Sequence, residues 1–420
     1  MSTRRRSTRP AARVDEPAAP LPGTNPAQAA AAPRLHLVPD TGPAIDPDDE
    51  IGAAAAAFRA KAVADNTRRT YASGWRRFES WCRDNKRTAL PASPDTVYRF
   101  ATWLALQVDE DGEPLVKAST ITTWCAAIGK VHSQHGYTDP AADPAVRETL
   151  SGISEDRTSS GEDADLAAPI MTADLERFVG AISEQARTWR QQVAARRDIA
   201  LLVLAFAGAR RRSEVLNLQR RDLTVESDSE GEHIRIALRG TKTSRRKITY
   251  FVVERGQTVV LCPWCALLRW LVLLADYDHA VAAGGPDAGV VAVHKRLRLE
   301  RNLDPHTHYC DRALPSFPSV CVPIFRSLAR VGVPARMQPL TGQAFGRMIH
   351  ARALAAGYSP AEAAAFRGHS LRAGATTQAS DNGATYREIM NMTGHTQIDT
   401  VRKYDRAPLH RANATRKLGL

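Results

Sequence analysis

The longest apolar stretch in this 420-residue chain, the one ending at Ala209, is about half as long as a bilayer span, which excludes a helical integral membrane protein. Arg4, Arg5 and Arg6 open the N-terminus with no apolar segment behind them, so no secretory signal is expected. Six cysteines are too few for a disulfide scaffold and fit a reducing, cytoplasmic setting. No internal repeat is visible. The Gly-rich strings are too short and misplaced for a phosphate-cradling loop, so nucleotide hydrolysis has no support.

What is present is a basic body with a near-neutral tail. The net charge is +12, yet residues 1–50 hold six Arg against seven Asp or Glu, so the surplus lies in the rest. Such a surplus on a compact body attracts polyanions, and nucleic acid is the first partner to consider. Residues 1–50 also hold nine of the 25 prolines and ten alanines without apolar periodicity, and read as a disordered Ala/Pro-rich tail. From 51 to 150 the pattern is helical. Tyr71, Trp75, Phe78 and Cys82 form one stripe, Ser93-Pro94-Asp95 starts a second helix, and Ile121, Trp124, Cys125, Ile128 and Val131 mark a third. The polar stretch 151–168 reads as a flexible linker. A second domain spans 169–420, with Thr172 as a candidate helix cap and a buried helix over Asp198–Ala209. Two strands, 234–238 and 248–253, flank a basic turn from Gly240 to Lys247. The stretch 284–323 reads as irregular, an insertion without an assignable role. The fold class expected is mainly α with a small antiparallel β-sheet.

The second domain carries a constellation of dispersed residues: Arg211 in Arg210-Arg211-Arg212-Ser213-Glu214, Lys242 in the turn, His369 and Arg372 in Gly368-His369-Ser370-Leu371-Arg372, His395 after Gly394, and Tyr404 nine residues later. In identity, order and spacing this set resembles the tyrosine recombinase, or phage-integrase, family, with Cre-like members similar in detail. The resemblance extends from about residue 53 to the end. It implies a helical core-binding (SAM-like) DNA-binding domain at 51–150 and a mixed α/β catalytic domain at 169–420, whose tail, 410–420, docks on a neighbouring protomer. The register Arg-x-Ser-Glu selects Arg211 over its neighbours. At the position of Arg210 the family usually has an apolar residue.

Cleaving a phosphodiester without a cofactor means neutralising two non-bridging oxygens as their charge grows, and planar guanidinium groups suit both. Arg211 and Arg372 are the candidate clamps. Tyr404 is the candidate nucleophile, with His369 to accept its proton. Lys242, on a turn that also holds Arg245, Arg246 and Lys247, is placed to protonate the leaving 5′ oxygen. The family pattern gives His395 a contact to the scissile phosphate and Glu214 a supporting role that fixes basic neighbours. It also implies a 3′-phosphotyrosyl intermediate, a Holliday junction, and a homotetramer assembled on double-stranded DNA with specific sites. Accessory DNA-bending or directionality proteins are left open, and the outcome can be integration, excision or resolution. The protein is expected in the cytoplasm on DNA, with no membrane partner and neither cofactor nor metal. A type IB topoisomerase-like enzyme and a catalytically silent DNA-binding protein are the alternatives.

Cys262-Pro263-Trp264-Cys265 has the spacing of a zinc half-site or redox motif, with His306, His308 and Cys310 as further donors. A Cys-Pro start to a packed helix is frequent in the resembled family. Without regular ligand spacing in the second group, that reading is preferred here over zinc.

Overall fold

The computed structural model describes residues 50–62, 65–160, 167–229, 231–240, 247–301, 307–334 and 337–402. The chain divides into two compact units, Met1–Glu162 and Asp163–Leu420. The expected disordered tail, apart from Glu50, lies outside the described residues. So do Lys242, Tyr404, the docking tail and residues 161–166 of the linker.

The first unit is all helical: α1 (Glu50–Ala62), α2 (Asp65–Asp84), α3 (Pro94–Ala105), α4 (Ala118–Gln134) and α5 (Pro144–Ser159). The stripe on α2 buries Phe78 and Cys82 against Phe100 and Leu104 of α3 and Ile121, Cys125 and Ile128 of α4. Ser93 caps α3 by accepting from the Thr96 amide, and Pro94 occupies its first turn, where a missing N–H costs nothing. His132 is a core histidine: its Nε2 accepts from the Ala92 amide at 2.7 Å and its Nδ1 meets the Ile128 carbonyl. The linker reading needs correction over 151–159. Asp143 caps α5, and Leu150 and Ile153 pack on the core. Arg157 donates to the Ala105 carbonyl at the end of α3, so the helix continues through Ser159 despite its polar composition.

The second unit is built on two helices, α6 (Thr172–Gln185) and α7 (Trp189–Ala207), followed by the five-residue α8 (Arg212–Leu216). Asp174 rather than Thr172 closes the start of α6, accepting from the Met171 amide. A three-stranded antiparallel sheet follows in the order β1 (Leu223–Asp228), β2 (Gly231–Leu238) and β3 (Thr249–Val253), with Leu223 opposite Ile236 and Ile236 opposite Phe251. The sequence reading found β2 and β3 and missed β1. Helix α9 (Pro263–Leu299) packs along α7 and is broken at Gly285, whose φ of 80° and following Pro286 interrupt the ladder. The expectation of an irregular stretch from 284 therefore fails for its first part: helix resumes after the kink, seating Val293 and Leu297 in the core. The remaining elements are α10 (Gly342–Ala355), α11 (Pro360–Ala365), α12 (Ser370–Asp381), α13 (Tyr386–Thr393) and α14 (Ile398–Arg402). The architecture is mainly α with a small antiparallel sheet. Among the described residues no helix is long and apolar enough to cross a membrane.

Buried ion pairs tie these helices together. Asp198 of α7 accepts from Arg197 and, across the core, from Arg352 of α10 at 2.6 Å. Arg326, fully buried, holds Asp278 of α9 at 2.5 Å.

Candidate phosphate-binding site

The three consecutive arginines after α7 take three different courses. The backbone leaves α7 through Ala209, a non-glycine residue at φ 45°, and this left-handed turn separates the side chains that follow. Arg210 turns inward and is 6% exposed, its Nη2 donating to the carbonyls of Tyr250 on β3 and Asn391 on α13, both at 3.2 Å. Its guanidinium lies 5.1 Å from the Phe251 ring centre, and its buried Nε finds no partner among the described residues. Burial pushes Arg210 down to about 10. Arg211 is the residue preceding α8 and is pinned by Glu214, which accepts from its Nη1 at 3.0 Å and its backbone amide at 3.2 Å. Arg212 points elsewhere, donating to the Gly342 carbonyl at 3.2 Å.

Arg372 reaches the same place from α12. It is 3% exposed, and its Nη1 donates to two carbonyls, Ala209 at 2.9 Å and Thr393 at 2.8 Å. Its Nη2 donates to His395 Nε2 at 2.5 Å. Since an arginine can only donate, Nε2 is the acceptor and the imidazole proton sits on Nδ1, which faces Thr393 Oγ1 at 2.9 Å. That hydroxyl donates onward to the Ile389 carbonyl at 2.7 Å. Burial first, then the charges of Arg372, Arg211 and Arg210, hold His395 at about 4, so it is neutral at physiological pH. Gly394 makes the turn from α13 possible twice over: its φ is 71°, and a Cβ there would stand 2.4 Å from Arg210.

Arg211, Glu214, Arg372 and His395 are thus gathered from α8, α12 and the end of α13. His369 stands exposed at the residue preceding α12, three positions before Arg372. Lys242 and Tyr404 fall outside the described residues. A polar cavity of ≈ 320 Å³ opens beside Glu214, bounded by Ser213, Arg221, Asp222, Arg239 and Gly240, the last described residue before the Lys242 turn. Sequence reasoning missed Arg210 as a member of this cluster. The signal was its departure from an apolar position, since a charged residue in an apolar slot must find partners.

Cys262 and Pro263 open the packed helix α9, as the sequence reading expected. Cys262, Cys265, His308 and Cys310 place their donor atoms within 4.8 Å of one another, while His306 lies outside the described residues.

Several fixed cations around one neutral imidazole form a positively charged pocket, and the chain is similar to proteins of known kind. Residues 317–409 match the phage integrase family. An integrase/recombinase xerD homolog from Selenomonas ruminantium is 28% identical over 347 residues, covering 82% of each chain. Among solved structures, a XerH site-specific recombinase bound to palindromic difH substrate is 15% identical, with 76% of this chain and 72% of that one covered and a TM-score of 0.44. The Tn1549 transposon integrase in complex with circular intermediate DNA is also 15% identical, over 87% and 98% of the two chains, with a TM-score of 0.44. The matched segment 317–409 holds Arg372 and His395 of the arginine–histidine pocket, and the chain is similar to phage integrases and tyrosine-type site-specific recombinases.

Proposed function

We propose that this chain is a recombinase that cuts and rejoins DNA through a 3′-phosphotyrosyl link formed by Tyr404. The observation that carries the reading is the convergence of Arg372, Arg211 and His395 on one spot. Arg372 is seated by backbone carbonyls and Arg211 by Glu214, so both guanidinium groups are held before any ligand arrives. Donors fixed in advance need no reorganisation when charge develops on the scissile phosphate.

In the proposed step the Tyr404 oxygen bonds to phosphorus while the bond to the 5′ oxygen breaks. His369 takes the phenol proton and Lys242 gives one to the leaving oxygen. The freed 5′ hydroxyl then attacks the phosphotyrosyl bond of a partner duplex, through a Holliday junction, and restores the tyrosine. One phosphoester replaces another at each step, so no ATP is consumed. His395 Nε2 accepts from Arg372. When a phosphodiester takes over the Arg372 Nη2 donor, Nε2 is released from that bond, and the added negative charge favours its protonation, which makes it a donor toward a non-bridging oxygen.

Residues 51–150 serve as the core-binding domain and 169–420 as the catalytic domain, which together bind duplex DNA at a specific site. Four copies act on two sites, with residues 410–420 docking on the neighbouring copy. The test is a nicked half-site substrate that traps the covalent adduct. Wild type gives protein on a 3′ end, and Tyr404→Phe gives none. An adduct that persists in Tyr404→Phe overturns the assignment of the nucleophile, and adducts without exchange between duplexes point to a topoisomerase.

A further inference from the structure

We infer that Cys262, Cys265, His308 and Cys310 form a structural zinc site with three thiolates and one imidazole. Their donor atoms lie within 4.8 Å of one another, although Cys265 and His308 are 43 positions apart in sequence. Tetrahedral zinc with bonds of about 2.3 Å to sulfur and 2.0–2.1 Å to nitrogen spaces its ligand atoms by roughly 3.5–3.8 Å. His308 Nδ1 already stands 3.4 Å from both Cys265 Sγ and Cys310 Sγ. The three cysteines are at most 2% exposed. All three are reduced.

The backbone around the cluster is shaped for thiolate ligands. Cys262 Sγ accepts from the amides of Gly256 and Cys265, and Cys265 Sγ accepts from that of Tyr309, at 3.3, 3.5 and 3.1 Å. Gly256 is needed there, because a Cβ would lie 2.6 Å from Cys262 Cα. Zinc with three thiolates has a net charge of −1, and cations stand nearby: Arg255 over Trp264 at 4.9 Å and Arg312 over Tyr309 at 4.3 Å. A cavity of ≈ 520 Å³ that includes Cys310 in its wall supplies an entry path. Cys-x-x-Cys at the start of α9 is one half-site, and His-x-Cys on a later loop is the other. The metal would staple residues 307–312 to the corner between β3 and α9. Arg255 reinforces the same corner by pairing with Glu232 of β2 and with Asp311.

The site shares no residue with the arginine–histidine pocket, and its test reads metal rather than strand cleavage. Full-length protein purified under reducing conditions without chelator is analysed by plasma mass spectrometry. One zinc per chain is expected, falling at least about tenfold in Cys265→Ser and Cys310→Ser and unchanged in Cys321→Ser, whose thiol is exposed and outside the cluster. Should the ligand variants misfold, zinc-edge X-ray absorption of the wild type decides. Three sulfurs near ~2.3 Å and one nitrogen near ~2.0 Å support the site. A shell of nitrogen and oxygen alone, zinc below about a tenth of an equivalent, or a disulfide between Cys262 and Cys265 overturns it.

Discussion

Gly374 sits on α12 two residues beyond Arg372, where the helix crosses the chain entering the second unit. A Cβ at Gly374 would stand 1.7 Å from the Ile170 carbonyl oxygen, against the 3.0 Å that real Cβ atoms keep. The obstacle is backbone, and Ile170 is itself tied to α12 by donating its amide to the Ser370 carbonyl at 3.0 Å. In Gly374→Ala the two segments must separate by about 1.3 Å, the difference between those contacts, and α12 carries the Arg372 guanidinium with it. Overpacking of this kind costs about 1–3 kcal/mol, within the stability of an ordinary domain. A catalytic group displaced by about 1 Å costs about 10²-fold in rate. The expected result is a folded protein with a lowered melting temperature and half-site cleavage about a hundredfold slower. Cleavage and melting both at wild-type values would refute the argument that α12 packing sets the position of Arg372.

Further outcomes are expected elsewhere in the chain. Gly180 on α6 and Gly346 on α10 have open space where a Cβ would go, so Gly180→Ala and Gly346→Ala should each raise stability by about 0.5–1 kcal/mol in denaturant titration. Arg326→Met leaves Asp278 buried without its cation and should cost about 3–5 kcal/mol, whereas Arg326→Met with Asp278→Leu should cost much less. Equal losses in the two proteins would contradict the ion-pair account. His395 is held at about 4 in the folded chain and returns to its ordinary value near 6.5 on unfolding, so between these limits the unfolded state binds more protons. Stability contributed by neutral His395 is present above pH 6.5 and is lost as pH falls toward 4. The melting temperature of the wild type should therefore fall more steeply over that window than that of His395→Gln, and parallel curves would argue against a depressed histidine.

The features legible in the sequence were those with local signatures. The α2 stripe, the Ser93-Pro94-Asp95 start and the strands over 234–238 and 248–253 each announce themselves through periodicity or capping chemistry. Strand β1 did not, because only Leu223 of its six residues is buried and alternation never develops. The second half of α9 was hidden behind Gly284-Gly285-Pro286, a string that normally ends a helix and here only kinks it. Within the pocket, Arg211, Arg372 and His395 were identified by order and spacing. Their true partners include the carbonyls of Ala209 and Thr393, which no side-chain pattern encodes. The cysteine–histidine cluster was legible as residues but not as a site, since only the fold closes the distance between its halves.

The seat of Arg372 has a bearing on retargeting such an enzyme. Because main-chain oxygens hold the guanidinium, a side-chain exchange at 209 or 393 that keeps the backbone torsions leaves its anchors in place. The vulnerable coordinate is the left-handed turn at Ala209, which a β-branched replacement would resist. On the proposed function, a library that diversifies DNA-reading surfaces while sparing that one torsion and the glycine at 394 is expected to alter sequence choice without loosening the arginine–histidine pocket.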